Sequence, residues 1–228
     1  MKIGVLLSGA GVYDGAEIHE AVLTLLEIEK LGYEAVCIGI DAPQYHVINH
    51  LNGEEQPAPR NMLEEAARIA RGKIQEIRTV APADIDALVI PGGFGSAKNF
   101  STWAFDGSKG QMRPDVKLLL VNMYNVGKPI VALCVSPVLL ALAFEDMAIG
   151  QQLTIGSTTA TSPYSISDFQ AGLQAKGAQT PDCSIQEICI DAPNRIITAP
   201  CYMLEASLPE LQQNIHQAIL ALQQLLEA

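Results

Sequence analysis

The chain has 228 residues, of which 49% are hydrophobic and 17% charged, ample apolar material for one large buried core. Twenty-five acidic residues against 14 basic ones leave a net charge of −11, so nucleic-acid phosphates and anionic lipid surfaces are excluded as partners held by charge. No run of about 18 apolar residues is available to cross a bilayer, and the opening Lys2-Ile3-Gly4-Val5-Leu6-Leu7 is too short for a signal core, so a soluble, cytoplasmic protein is expected.

Ile3 to Leu7 is an apolar run closed by Ser8-Gly9 and predicts a first buried strand. From Gly15 to Leu31 the residues Ile18, Val22, Leu25, Leu26 and Ile28 recur at helical spacing, with Gly32 as the stop. Ala35 to Ile40 predicts the next strand, and strand, helix, strand in that order predicts a right-handed crossover in a parallel sheet. Asp41 to Arg60 is rich in Pro, Asn, Gly and His and is expected to be an excursion, with a short hairpin around Val47-Ile48-Asn49 and Leu51-Asn52-Gly53. Asn61 caps a helix reaching Arg71, ended by Gly72. Ile74 to Ile77 is a short strand, and Ala87 to Ile90 is a strand running into Pro91-Gly92-Gly93-Phe94-Gly95.

Phe100 to Arg113 has few apolar repeats and predicts a long surface loop before a helix over Pro114 to Val126. Pro129 to Leu133 reads as a strand buried on both faces, and Pro137 to Leu142 as a helix whose first turn tolerates the proline. Leu153 to Ser157 predicts another strand and Ser167 to Ala175 a helix. Glu187 to Asp191 and Arg195 to Ala199 predict a β-hairpin at the sheet edge, and Leu208 to Leu225 a closing helix. The alternation predicts one α/β domain over residues 1–228, a three-layer α/β/α sandwich with a mostly parallel sheet, whose sites form at the carboxyl ends of the strands.

Chemistry concentrates at three such strand ends, carrying Gly9 to Gly11, Gly92-Gly93 and Cys134. A cysteine between a strand and a helix start points its sulfur over the sheet edge, where the positive end of the helix favours thiolate, so Cys134 is a candidate nucleophile. The competing description is one more small apolar side chain in the core. The five cysteines are odd in number and scattered, which argues for reduced thiols and against a disulfide framework. Cys183, Cys189 and Cys201 are expected to be packing residues.

The segments SGAGVYDGAEIHEAV (Ser8 to Val22), HVINHL (His46 to Leu51), RNMLEEAARIARG (Arg60 to Gly72), DALVIPGGFGSAKNF (Asp86 to Phe100), GKPIVALCVSP (Gly127 to Pro137) and IITAPCYMLE (Ile196 to Glu205) together resemble the ThiJ/PfpI superfamily, a group related to class I glutamine amidotransferases. More narrowly the chain is similar to the ElbB-type branch, for which glyoxalase activity has been described. The resemblance implies a flavodoxin-like sandwich, a homodimer, a small aldehyde as substrate and no cofactor or metal. It places the family's elbow cysteine on Cys134, its helix glutamate on Glu20 with Glu17 one turn earlier, and its oxyanion turn on Gly92 and Gly93. Val135, after the cysteine, and Gly11, in the first glycine turn, then border the substrate. From periodicity alone Glu20 would sit on a solvated helix face. Beside a thiolate and buried, it would instead be pushed toward its protonated form.

Two departures stand out. Relatives that hydrolyse amides use a histidine as base, often directly after the cysteine, where this chain has Val135, and ElbB-type relatives often have cysteine at the position of Ala10. His19 is about 100 degrees around the helix from Glu20 and is expected to face elsewhere. His46 and His50 could hold a metal by spacing, although loop packing is the plainer role, and His216 is expected on an exposed face. Tyr202 and the segment Asn122 to Tyr124 are further candidates to approach the site. The activity implied is a cofactor-independent conversion of glyoxal or a similar α-oxoaldehyde to a hydroxy acid through a cysteine hemithioacetal. A deglycase acting on glyoxal adducts would use the same residues. The alternative is a non-catalytic redox-sensing or interaction protein built on the fold. A dinucleotide site, a third class, is opposed by Asp14, which stands where a third glycine belongs.

Overall fold

A computed structural model describes residues 1–228. Seven strands form one sheet: β1 (Lys2–Leu6), β2 (Glu34–Gly39), β3 (Ile74–Glu76), β4 (Ala87–Ile90), β5 (Ile130–Leu133), β6 (Cys189–Asp191) and β7 (Ile196–Ala199). Their order is β3-β2-β1-β4-β5-β7-β6, and every neighbouring pair is parallel except the β6–β7 hairpin at the edge. Apolar runs without alternation suit strands covered on both faces, and every residue of β4, β5 and β7 is buried. Register pairs Ile90 with Ala132 and Leu133 with Ala199, so the residues that follow β4, β5 and β7 emerge side by side at one sheet edge.

Eight α-helices complete the layers: α1 (Ile18–Lys30), α2 (Met62–Ile69), α3 (Phe94–Lys98), α4 (Trp103–Asp106), α5 (Pro114–Asn125), α6 (Pro137–Ala143), α7 (Ile166–Ala175) and α8 (Leu208–Glu227). Helices α1 and α8 pack on each other, as do α5 and α6. Asn61 caps α2 as expected, its Oδ1 accepting the N–H groups of Leu63 and Glu64. Ser207 and Glu210 form a capping box on α8. The flavodoxin-like α/β/α arrangement is therefore as the sequence implied. No helix is long and apolar enough to cross a membrane.

Helix α1 corrects the periodicity. Ile18, Val22 and Leu26 form an exposed stripe, while Glu20, Ala21, Thr24, Glu27 and Ile28 are buried. Burial of Glu27 is tolerated because Lys30 Nζ, Gln212 Nε2 and His216 Nδ1 all lie 2.7–2.8 Å from its oxygens. His216 is thus half-buried at the α1–α8 seam rather than exposed. The Phe100 to Arg113 loop also proves to be folded. It contains α4 and a 3₁₀ turn, is pinned by a Ser101–Met112 bridge, and buries Phe100 and Trp103. Trp103 lies flat against Gly172, where a Cβ would come within 2.8 Å of the ring. The expected strand Leu153 to Ser157 joins no ladder of the sheet: Leu153 N–H donates to Gln179 O at 2.9 Å beside an isolated Gln152–Gln179 bridge, and Thr154 N–H donates to Thr198 Oγ1.

Candidate active site

Cys134 ends β5 with φ 57°, a left-handed conformation that a non-glycine residue adopts only when its surroundings enforce it. Two bonds do so: Cys134 N–H donates to Ala199 O at 2.9 Å, extending the ladder to β7, and Ser136 N–H donates back to Leu133 O at 2.9 Å. Ser136 Oγ then donates to Pro91 O at 2.8 Å, which leaves Ser96 Oγ as the donor to Ser136 at 2.9 Å. Buried hydroxyls thereby clamp the cysteine elbow to the glycine turn after β4.

That turn needs glycine twice, for different reasons. A Cβ on Gly92 would stand 2.3 Å from Cys134 Cβ, 2.6 Å from Glu20 Oε2 and 2.8 Å from Cys134 Sγ, so only a bare backbone fits between them. Gly93 has φ 97°, and its Cβ would overlap Gly15 O and Glu17 N. The main-chain N–H groups of Gly93 and Val135 face the sulfur and donate to no other group.

Glu20 is fully buried. Its Oε2 accepts from Gly92 N–H at 2.8 Å and its Oε1 from Tyr202 N–H at 3.3 Å, and the Cys134 sulfur flanks the same Gly92 backbone as the carboxyl. Burial, reinforced by the charge of Glu17, raises Glu20 from 4.5 to about 8 against the lowering effect of these bonds. It is therefore a carboxylic acid at neutral pH. Burial and the neighbouring Glu20 also push the Cys134 thiol well above its ordinary value. The expectation of a standing thiolate is corrected: α6 starts beside the sulfur, but desolvation outweighs the helix end. Two acids in contact titrate as a pair. Once the pair has lost one proton, moving the remaining one from sulfur to carboxylate yields a thiolate without changing the net charge.

Around this centre the structure gathers residues the sequence did not single out. Cys201, after β7, is fully buried with φ 46°, and its thiol is pushed up by burial and then by Glu20 and Cys134, so it adjoins both. Tyr164 meets Phe94 edge-on with ring centres 5.6 Å apart, and burial and the charges of Cys134, Tyr13, Glu20 and Glu17 raise its phenol to about 12. Glu17 caps α1, its Oε2 accepting Glu20 N–H at 2.7 Å, and donates its own N–H to Gly92 O at 2.9 Å. His19 faces away from Glu20 as expected, exposed, with Nδ1 3.3 Å from Tyr202 Oη and 4.0 Å from Glu17 Oε1.

Cys134, Glu20, Gly92, Gly93, Val135 and Glu17 thus come together. Gly11 does not join them. Its neighbours are the His50 ring and Asp14 Oδ1, and it serves the turn beneath the 46–50 loop, not the sulfur. His50 is spent on that loop, Nε2 accepting Tyr13 N–H at 3.2 Å and Nδ1 facing Ile48 O at 3.0 Å. Tyr124 bonds Asn194 at 3.1 Å, and Asn122 lines a groove with Ile77 and Leu118, so neither reaches Cys134.

Comparison with known proteins gives no matching family model. A human protein described as glutamine amidotransferase-like class 1 domain-containing protein 3, mitochondrial, is 37% identical over 218 residues, spanning 94% of this chain and 79% of that one. The crystal structure of an isoprenoid biosynthesis protein with an amidotransferase-like domain from Ehrlichia chaffeensis superposes with a TM-score of 0.89 at 33% identity, covering 99% of both chains. Drosophila melanogaster DJ-1beta shares the fold alone, with a TM-score of 0.53 at 18% identity over 99% of this chain and 95% of that one.

Proposed function

The chain belongs to the glutamine amidotransferase-like class 1 domain family, and on that premise we propose that it converts glyoxal, or a similarly small α-oxoaldehyde, to the corresponding hydroxy acid without a cofactor, as its ElbB-type resemblance suggests. The observation that carries this is the Cys134–Glu20 pair, a nucleophile and a buried acid brought together across the bare backbone of Gly92, with two uncommitted amides facing the sulfur.

In the singly deprotonated pair Glu20 takes the thiol proton and the sulfur adds to one aldehyde carbon. Glu20 returns the proton to the new alkoxide, whose charge the Gly93 and Val135 amides hold meanwhile, giving a hemithioacetal. The Glu20 carboxylate then removes the hydrogen on that carbon and delivers a proton to the neighbouring carbon through an enediol, leaving a glycolyl thioester. Water cleaves the thioester, releasing glycolate and restoring the thiol. The sum is glyoxal plus water to glycolic acid, with no external oxidant or reductant.

Amide hydrolysis is less well supported. Elbow position 135 is valine, and the nearest imidazole, His19, bonds to a tyrosine at the rim. The test is conversion of glyoxal to glycolate by purified protein. The wild type turns over and Cys134→Ala does not, whereas equal rates for the two would remove the cysteine from the reaction.

A further inference from the structure

Glu17 stands beside the reactive pair without taking part in the chemistry. Its N–H is bonded to Gly92 O, one peptide from the contact between Gly92 and the Cys134 sulfur. Its side chain is 10% exposed and fixed by the Glu20 N–H at 2.7 Å, leaving Oε1 with only the His19 ring, at 4.0 Å, for a basic neighbour. The same carboxylate acts on Glu20, Tyr164 and Tyr202, raising the proton affinity of all three. The Lys98 ammonium is committed elsewhere. It donates to Tyr13 O at 2.9 Å, lies 5.6 Å over the Phe94 ring and faces the charges of Asp14 and Glu55. Tyr202, whose N–H meets Glu20, and the Phe94–Tyr164 ring pair are uncharged.

We propose that Glu17 is the specificity-determining residue of this site, its carboxylate admitting uncharged small electrophiles to Cys134 and turning away anionic ones. The substrate class is then a neutral aldehyde bearing carbonyl or hydroxyl groups that phenols and amides can bond, and 2-oxo acids and free amino-acid carboxylates are excluded. The same charge favours departure of an anionic hydroxy acid after neutral substrate has entered. This rests on the proposal above that Cys134 is the attacking group, and it is tested without turnover.

The experiment compares the second-order rates at which iodoacetamide and iodoacetate alkylate Cys134 at pH 7, followed by mass of the Cys134 peptide, with glutathione as the free-thiol reference. The two reagents are close in size and differ in charge, and the ratio of their rates cancels any change in thiolate fraction. A fixed like charge beside the sulfur predicts a penalty on iodoacetate of about tenfold beyond that seen with glutathione. Glu17→Gln keeps a carbonyl to accept the Glu20 N–H and is expected to remove most of that penalty, an unchanged urea-unfolding midpoint serving as the control for an intact fold. A wild-type ratio equal to that of glutathione, a penalty that persists in Glu17→Gln, or no reaction of Cys134 with either reagent overturns the inference. A tenfold penalty abolished by Glu17→Gln, in a protein that fails to convert glyoxal, would leave this inference standing and remove the proposed reaction alone.

Discussion

Replacing Glu20 with glutamine exposes the energetic consequence of burying an acid. A carboxyl raised from 4.5 to about 8 by folding holds its proton more tightly in the native state. Its stabilising contribution is complete below pH 4.5 and is lost as pH rises through 8, at about 1.4 kcal/mol per pH unit, which comes to about 5 kcal/mol across that window. Glutamine is the same size and cannot ionise, so this slope vanishes. It also forfeits one hydrogen bond, because Gly92 N–H and Tyr202 N–H donate to different oxygens of Glu20 and an amide nitrogen is no acceptor, a cost of about 1 kcal/mol. Glu20→Gln is therefore expected to be slightly less stable than wild type at pH 4.5 and about 3–4 kcal/mol more stable at pH 8, with the two curves crossing near pH 5. Urea unfolding at half-unit pH steps reads this directly, since the other titrating groups are common to both proteins. Parallel stability curves for the two proteins would mean that Glu20 ionises freely and that the buried acid does not exist.

The same pair sets the pH dependence of reactivity. Alkylation of Cys134 by iodoacetamide in the wild type is expected to rise through an apparent pKa of about 8, where the pair loses its first proton. In Glu20→Gln the limb moves upward, because burial alone keeps the thiol protonated and no carboxylate is left to take its proton; an unchanged limb would refute the coupling. Gly92→Ala forces a Cβ to within 2.3 Å of Cys134 Cβ, so a loss of about 2–3 kcal/mol in unfolding free energy and of Cys134 alkylation at pH 8 is expected. At the α1–α8 seam, burial would raise Glu27, but the bonds from Lys30, His216 and Gln212 prevail and hold it below its ordinary value. Its contribution to stability is thus present above pH 4.5 and lost as pH falls through the lowered value. Glu27→Ala should cost about 3 kcal/mol by leaving polar partners unpaired, measured by urea unfolding at pH 7.

The sheet was legible because its central strands β1, β4, β5 and β7 are short apolar runs, β4 and β7 ended by proline, and because strands alternate with helices. Cys134 was legible from its place between β5 and Pro137. Glu20 was not legible from periodicity, which looks for apolar residues on the inner face of a helix. Here that face carries Glu20 and Glu27, each matched by partners distant in sequence, while Ile18, Val22 and Leu26 point outward. Cys201 was missed because its closeness to Cys134 is created by the pairing of β5 with β7, which no local pattern encodes. His19 was placed correctly away from Glu20 by its helical angle, but its bond to Tyr202, which follows β7, was not legible locally. Trp103 offered a usable signal: a lone tryptophan in a polar stretch seldom stays in solvent, and here it anchors the segment on Gly172.

The most direct measurement is the reaction of glyoxal in deuterium oxide, followed by NMR. Proton transfer through Glu20, whose acid hydrogen exchanges with solvent, places one deuterium on the hydroxymethyl carbon of glycolate, and both label and product disappear in Cys134→Ala. Glycolate formed without deuterium, or formed at the same rate in Cys134→Ala, would contradict a sulfur-bound intermediate whose proton is moved by that acid.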